Sequence, residues 1–96
     1  MDQRVIVDKN MPIISTFYGI IVQMFWDDHA PPHFHVKYAG YKAVINIREL
    51  KLANGVLPNK ALELVLDWAE LYQDELMANW ELAVNGNKLF DIKPLA

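Results

Sequence analysis

The chain contains no cysteine. That excludes disulfides, thiolate zinc sites and a cysteine nucleophile, and it is compatible with a reducing cytosol. It also has no uninterrupted apolar run near the ~20 residues that a membrane-spanning helix requires. The opening Met1-Asp2-Gln3-Arg4, followed by only a brief Val5-Ile6-Val7, lacks the apolar core of a signal peptide. A cytoplasmic, unprocessed protein without membrane association is therefore expected. Strong basicity is missing too. A formal net charge of −3 and an isoelectric point near 5.5 fall far from the profile of dedicated nucleic-acid binders. Histidine is scarce: there are three, and all stand between positions 29 and 35.

What is present describes an ordinary globule. Ninety-six residues suffice for one domain with a modest core, and 53% hydrophobic against 22% charged residues is no disordered composition. Residues 1–10 read as an N-terminal extension in which Val5-Ile6-Val7 can add a short strand. Met11-Pro12 reads as a second beginning, so residues 11–96 are expected to form a single α+β domain.

The stretch Asp27-Asp28-His29-Ala30-Pro31-Pro32-His33-Phe34-His35 gathers acid, imidazole and rigid backbone. Two prolines fix their own φ near −65° and push the residues before them toward extended backbone, which forbids a helix here. Beyond the corner, Phe34, Val36 and Tyr38 alternate with His33, His35 and Lys37, the period of a half-buried strand. His33 and His35 then share one face with Cα atoms roughly 6.5 Å apart. Two imidazoles at that spacing can hold one metal ion or act on either side of one phosphate. His29, Asp27 and Asp28 lie across the corner and can fold back onto the same spot.

Residues 17–26, apolar at almost every position, suit one central strand in which Gly19 permits close backbone approach. Ala39-Gly40 is a plausible tight turn, although alanine is poorly suited to the φ > 0 it demands. That turn sets Tyr38 opposite Tyr41, Val36 opposite Ala43 and Phe34 opposite Ile45, all on one apolar face. The other face collects His33, His35, Lys37, Lys42, Val44, Asn46 and Arg48. Lys37 opposes Lys42, an unfavourable like-charge pair unless something negative lies between them. Asn54-Gly55 reads as a further turn and Pro58 as a helix start. Across residues 58–85 Leu62, Val65, Ala69, Tyr72, Leu76, Trp80 and Ala83 recur at three and four. The apolar surface there is wider than one sheet would cover. Either the helix breaks near Gln73 into two, or it lends a face to a partner, which makes a homodimer or small hetero-complex the expectation. Residues 88–92 can form a last short strand.

Charge is segregated. Residues 59–85 hold six carboxylates against Lys60 alone, and Glu63, Asp67, Glu70 and Asp74 fall on one helical ridge, read as a solvated face. Residues 33–51 hold Lys37, Lys42, Arg48 and Lys51 against Glu49. The three tryptophans read as core, Trp68 and Tyr72 sharing a helical face, with lining the histidine site the alternative for Trp26.

The runs Met11-Pro12-Ile13-Ile14-Ser15, Gly19-Ile20 and residues 28–38, with Leu57-Pro58, Leu66-Asp67-Trp68-Ala69, Asn79-Trp80-Glu81-Leu82 and Asn85-Gly86, resemble a small bacterial family known as domain of unknown function 4160. The resemblance spans residues 11–95. It implies frequent adjacency to another small family, domain of unknown function 2442, an arrangement suggestive of a toxin–antitoxin pair. It assigns no catalytic residue.

The fold expected is thus α+β, a three- to four-stranded antiparallel sheet packed on one long or two shorter C-terminal helices. Three functional readings stand side by side. In the first, His33 and His35 act as general acid and base with Asp28 or Asp27 orienting an imidazole, and Lys37, Lys42, Asn46 and Arg48 bind a phosphate-containing partner, RNA or nucleotide. In the second, His29, His33, His35 and an aspartate bind a divalent transition metal (zinc, nickel, manganese or iron) in a metal-dependent hydrolase or nuclease. In the third, the basic sheet face is a non-catalytic interaction module. The favoured setting is a cytoplasmic accessory of toxin–antitoxin type, and catalysis itself stays open.

Overall fold

The computed structural model describes residues 12–26 and 28–96. The strand expected at Val5-Ile6-Val7, and Asp27, lie outside the described residues. The class is α+β: among the described residues, a five-stranded antiparallel sheet is followed by two helices. The sheet is a simple meander in the order β1 (Ile13–Phe17), β2 (Ile20–Gln23), β3 (His33–Tyr38), β4 (Tyr41–Asn46) and β5 (Lys51–Gly55). Helices α1 (Asn59–Leu71) and α2 (Gln73–Val84) follow. None of the described helices is long and apolar enough to cross a membrane.

The β3–β4 hairpin has the register that alternation predicts, with Phe34 opposite Ile45, Val36 opposite Ala43, Lys37 opposite Lys42 and Tyr38 opposite Tyr41. Phe34, Val36, Ala43 and Ile45 are buried beneath the helices. The turn that joins them holds Ala39 at φ 46° and Gly40 at φ 85°, so an alanine does occupy a left-handed position.

Strand number departs from expectation in three places. The apolar run 17–26 is not one strand, because Tyr18 (φ 51°) and Gly19 (φ 77°) turn the chain back and make β1 and β2 a hairpin. Gly19 serves the turn, not a close backbone approach. Residues 51–55 pair with β4, so Asn54-Gly55 ends a strand and is no turn. The glycine signal there was real but had another cause. Gly55 has φ 83° opposite Ala43, and a Cβ on it would collide with the Lys42 carbonyl oxygen. Lastly, residues 88–92 form no strand. One backbone bond from the Ile92 N–H to the Ile14 carbonyl (2.8 Å) lays this segment beside β1.

The long helical stripe breaks at Tyr72 (φ −116°, ψ 27°) without proline or glycine. Hydrogen bonding continues across the break, from the Tyr72 N–H to Trp68 and from the Leu76 N–H to Tyr72. Just beyond it the Gln73 amide donates to the Ile47 carbonyl at 2.8 Å, docking the start of α2 on the β4–β5 turn. The apolar face runs through Ala61, Val65, Trp68 and Ala69 into Leu76, Trp80 and Ala83. Trp68, fully buried, meets Phe17 and Phe34 by its ring and donates its indole N–H to the Lys93 carbonyl at 2.7 Å. Glu63, Asp67, Glu70 and Asp74 are all exposed.

Asn79, also fully buried, is the polar exception. Its amide donates to the Phe90 carbonyl (2.9 Å) and its oxygen accepts from the Phe90 N–H (3.0 Å), completing one backbone unit much as a strand neighbour would. Periodicity had assigned this position no role.

Two outcomes follow from these contacts. Ala39→Asn should raise unfolding stability by about 0.5–1 kcal/mol in denaturant titration, since asparagine tolerates the left-handed region that costs other L-residues ~1–2 kcal/mol. Asn79→Leu should cost about 2–4 kcal/mol, because it leaves both polar groups of Phe90 without their partner, and hydrogen exchange at Phe90 and Ile92 should accelerate more than exchange in β3.

Candidate metal centre

The connection between β2 and β3 carries the proline corner, with a cis peptide between Ala30 and Pro31. The chain doubles back so that Asp28 lies over the start of β3. A single carboxylate oxygen, Oδ2, meets both strand imidazoles: it is 3.0 Å from His33 Nε2 and 2.8 Å from His35 Nε2. These three donor atoms lie within 4.8 Å of one another, and all three side chains are only partly exposed.

Hydrogen bonding constrains His33 at both ends. Its Nδ1 lies 2.8 Å from the Pro31 carbonyl oxygen, which accepts but never donates, so Nδ1 carries a hydrogen. In a neutral ring Nε2 is then a bare lone pair aimed at a carboxylate oxygen. Two acceptors at that distance repel, and a positive particle between them, a proton or a metal ion, is what makes the arrangement favourable.

Aromatic walls hold the rings. Phe25 stacks on His35 at a centroid distance of 4.1 Å and an angle of 14°, and Trp80 of α2 stands 5.2 Å from His33. Both were missed from the sequence. Phe25 shares its face with Gln23, which pairs with His35, so the parity of β2 would have found it once the pairing was known. Trp80 is a long-range contact with no local signal. Trp26, read as core or as lining the site, packs against the core and donates its indole N–H to the Asn87 carbonyl at 2.8 Å.

The remaining predicted residues divide. His29 is exposed and stands outside the group formed by Asp28, His33 and His35, so of the four ligand positions expected (His29, His33, His35 and an aspartate) the structure brings together the aspartate and two of the histidines. His33, on the face opposite the apolar one, is nonetheless shielded from water: its side chain is 14% exposed and packs on Trp80. Both His33 ring nitrogens have partners, the Pro31 carbonyl at Nδ1 and Asp28 at Nε2. Asn46 accepts the Glu49 N–H through Oδ1 at 2.8 Å and shapes the β4–β5 turn. Arg48 is exposed within that turn, apart from the Lys37–Lys42 pair. Lys37 and Lys42 share the outer face with His35 and line a cavity of about 400 Å³ together with Gln23, Phe25, Val44 and Asn54.

Residues 19–81 match the family described as Domain of unknown function (DUF4160). Neither a curated protein nor a solved structure matches the chain.

The fixed tautomer is open to direct measurement. Nitrogen-15 NMR of the metal-free protein should show His33 protonated at Nδ1. A His33 ring protonated only at Nε2 would contradict the Pro31 contact.

Proposed function

The chain belongs to the DUF4160 family, and we propose that Asp28, His33 and His35 hold a divalent transition-metal ion through which the protein acts. The observation that carries this reading is the His33 ring, whose Nδ1–H is spent on the Pro31 carbonyl while Nε2 faces Asp28. Metal-binding histidines almost always donate their second ring hydrogen to a carbonyl or carboxylate in this way, which sets the tautomer and directs the lone pair.

Spacing supports it. With donors roughly 2.1 Å from an ion, neighbouring positions of an octahedron lie ~3.0 Å apart and those of a tetrahedron ~3.4 Å apart. The observed 3.0 and 2.8 Å from Asp28 Oδ2 to the two Nε2 atoms are close to the octahedral value. Two imidazoles and one carboxylate on one side of an ion favour iron(II), manganese, cobalt, nickel or zinc over the hard alkaline-earth ions. Three protein donors leave further positions for water or a ligand. A divalent ion in such a site supplies Lewis acidity and lowers the pKa of bound water. Phe25 and Trp80 keep the imidazoles from swinging away, and of the three donor residues His35 forms part of the cavity wall.

Tag-free protein should bind one equivalent of a transition-metal ion in calorimetry. At a free concentration a hundredfold above Kd, stabilisation is ~2.7 kcal/mol, or about 10–20 °C in Tm for a domain of this size. Asp28→Asn and His35→Ala should each weaken binding at least tenfold, while His29→Ala leaves it unchanged. Binding should also fall as pH drops, because protons compete for the imidazoles and carboxylate. Equal metal affinity in wild type and His35→Ala would reject the assignment.

A further inference from the structure

The Lys37–Lys42 pair has no explanation in the fold. The two residues are directly opposed across β3 and β4 on the outer face, where like charges destabilise. Neither has a carboxylate partner among the described residues, whereas Lys51 and Lys60 do. Both line the cavity of about 400 Å³ that His35 also lines. Lys37 is two residues along the strand from His35, a Cα separation of roughly 6.5 Å, which a lysine side chain can span.

We propose that this cavity takes a small phosphate monoester, with its phosphoryl group between the Lys37 and Lys42 ammonium groups and turned toward the Asp28–His33–His35 centre. The proposal rests on the metal reading for its orientation, but the lysine pair stands independently. Charge selects the ligand. A monoester carries close to two negative charges at neutral pH on three terminal oxygens, enough to meet two ammonium groups and one further cation together. A carboxylate brings half that charge and two oxygens. The size of the cavity lies at the lower end of the range for small-molecule sites and leaves room for an organic portion against Phe25, Val44 and Asn54.

A polymeric nucleic acid fits less well. Its backbone needs a track of cations. Here Lys51 is engaged by Glu49, Arg48 stands apart in the β4–β5 turn, and the chain carries a net charge of −3.

The test uses calorimetry with AMP, adenosine and a ten-nucleotide RNA on full-length protein, metal-free and loaded with manganese. AMP is expected to bind wild type, more tightly with the metal present, and adenosine is expected not to bind. Lys37→Ala/Lys42→Ala should weaken AMP at least tenfold and leave manganese affinity within twofold, which also shows that the variant is folded. Lys37→Arg/Lys42→Arg should retain AMP binding. An AMP affinity indifferent to the double alanine substitution overturns the proposal, and so does RNA binding tighter than AMP. Should manganese fail to bind, the metal reading falls by itself. AMP binding to the metal-free protein, lost in the double alanine variant, would still support the lysine pair, and its absence would overturn it.

Discussion

Burial of Phe34 against Trp68, with Val36 in the same core, is the constraint on which the rest of this molecule depends. Successive side chains of a strand point to opposite faces. Once these two enter the core, His35 and Lys37 must leave it on the far side. A slip of one residue would place imidazole and ammonium against the tryptophan and expose Phe34 to water. The apolar surface that Phe34, Val36, Ala43 and Ile45 bury therefore sets the position of the polar face as firmly as any contact among the polar groups.

The site adds one closure to that frame. His33 and His35 are neighbours on a rigid strand, and the proline corner returns Asp28 over them so that one oxygen serves both rings. The corner has little backbone freedom, and aromatic rings just beyond β2 and on α2 limit the freedom of the imidazoles. Three donors are thereby held together without first being gathered by an ion. For the proposed ligand set, the entropic cost of assembly would be met largely by folding. The lysine pair illustrates the reverse relation. It is a cost the hairpin carries in isolation, and an anion in the adjoining cavity is what would offset it.

Local pattern reached some elements and not others. The β3–β4 register was legible because hydrophobic alternation and a two-residue turn agree on it. The two helices were legible because a stripe at three and four persists through residues 58–85. The β1–β2 hairpin was hidden, since an apolar run buried on both sides shows no alternation to mark its reversal at Tyr18-Gly19. Gly55 misled for a related reason: a positive φ serves a tight turn and a close backbone approach equally well, and only the neighbouring Lys42 carbonyl tells them apart.

The sequence by itself determined that an acid-rich proline corner precedes two histidines on one strand face, with two lysines further along it. Those are matters of spacing within a few residues, where backbone geometry leaves little choice. Tertiary structure alone decided that Asp28 and not His29 joins the imidazoles, that Trp80 covers His33, and that Asn79 holds the backbone of Phe90. These depend on the path of a nine-residue connection and on how α2 lies over the sheet. Such paths are settled by packing between segments far apart in the chain, for which no local period exists.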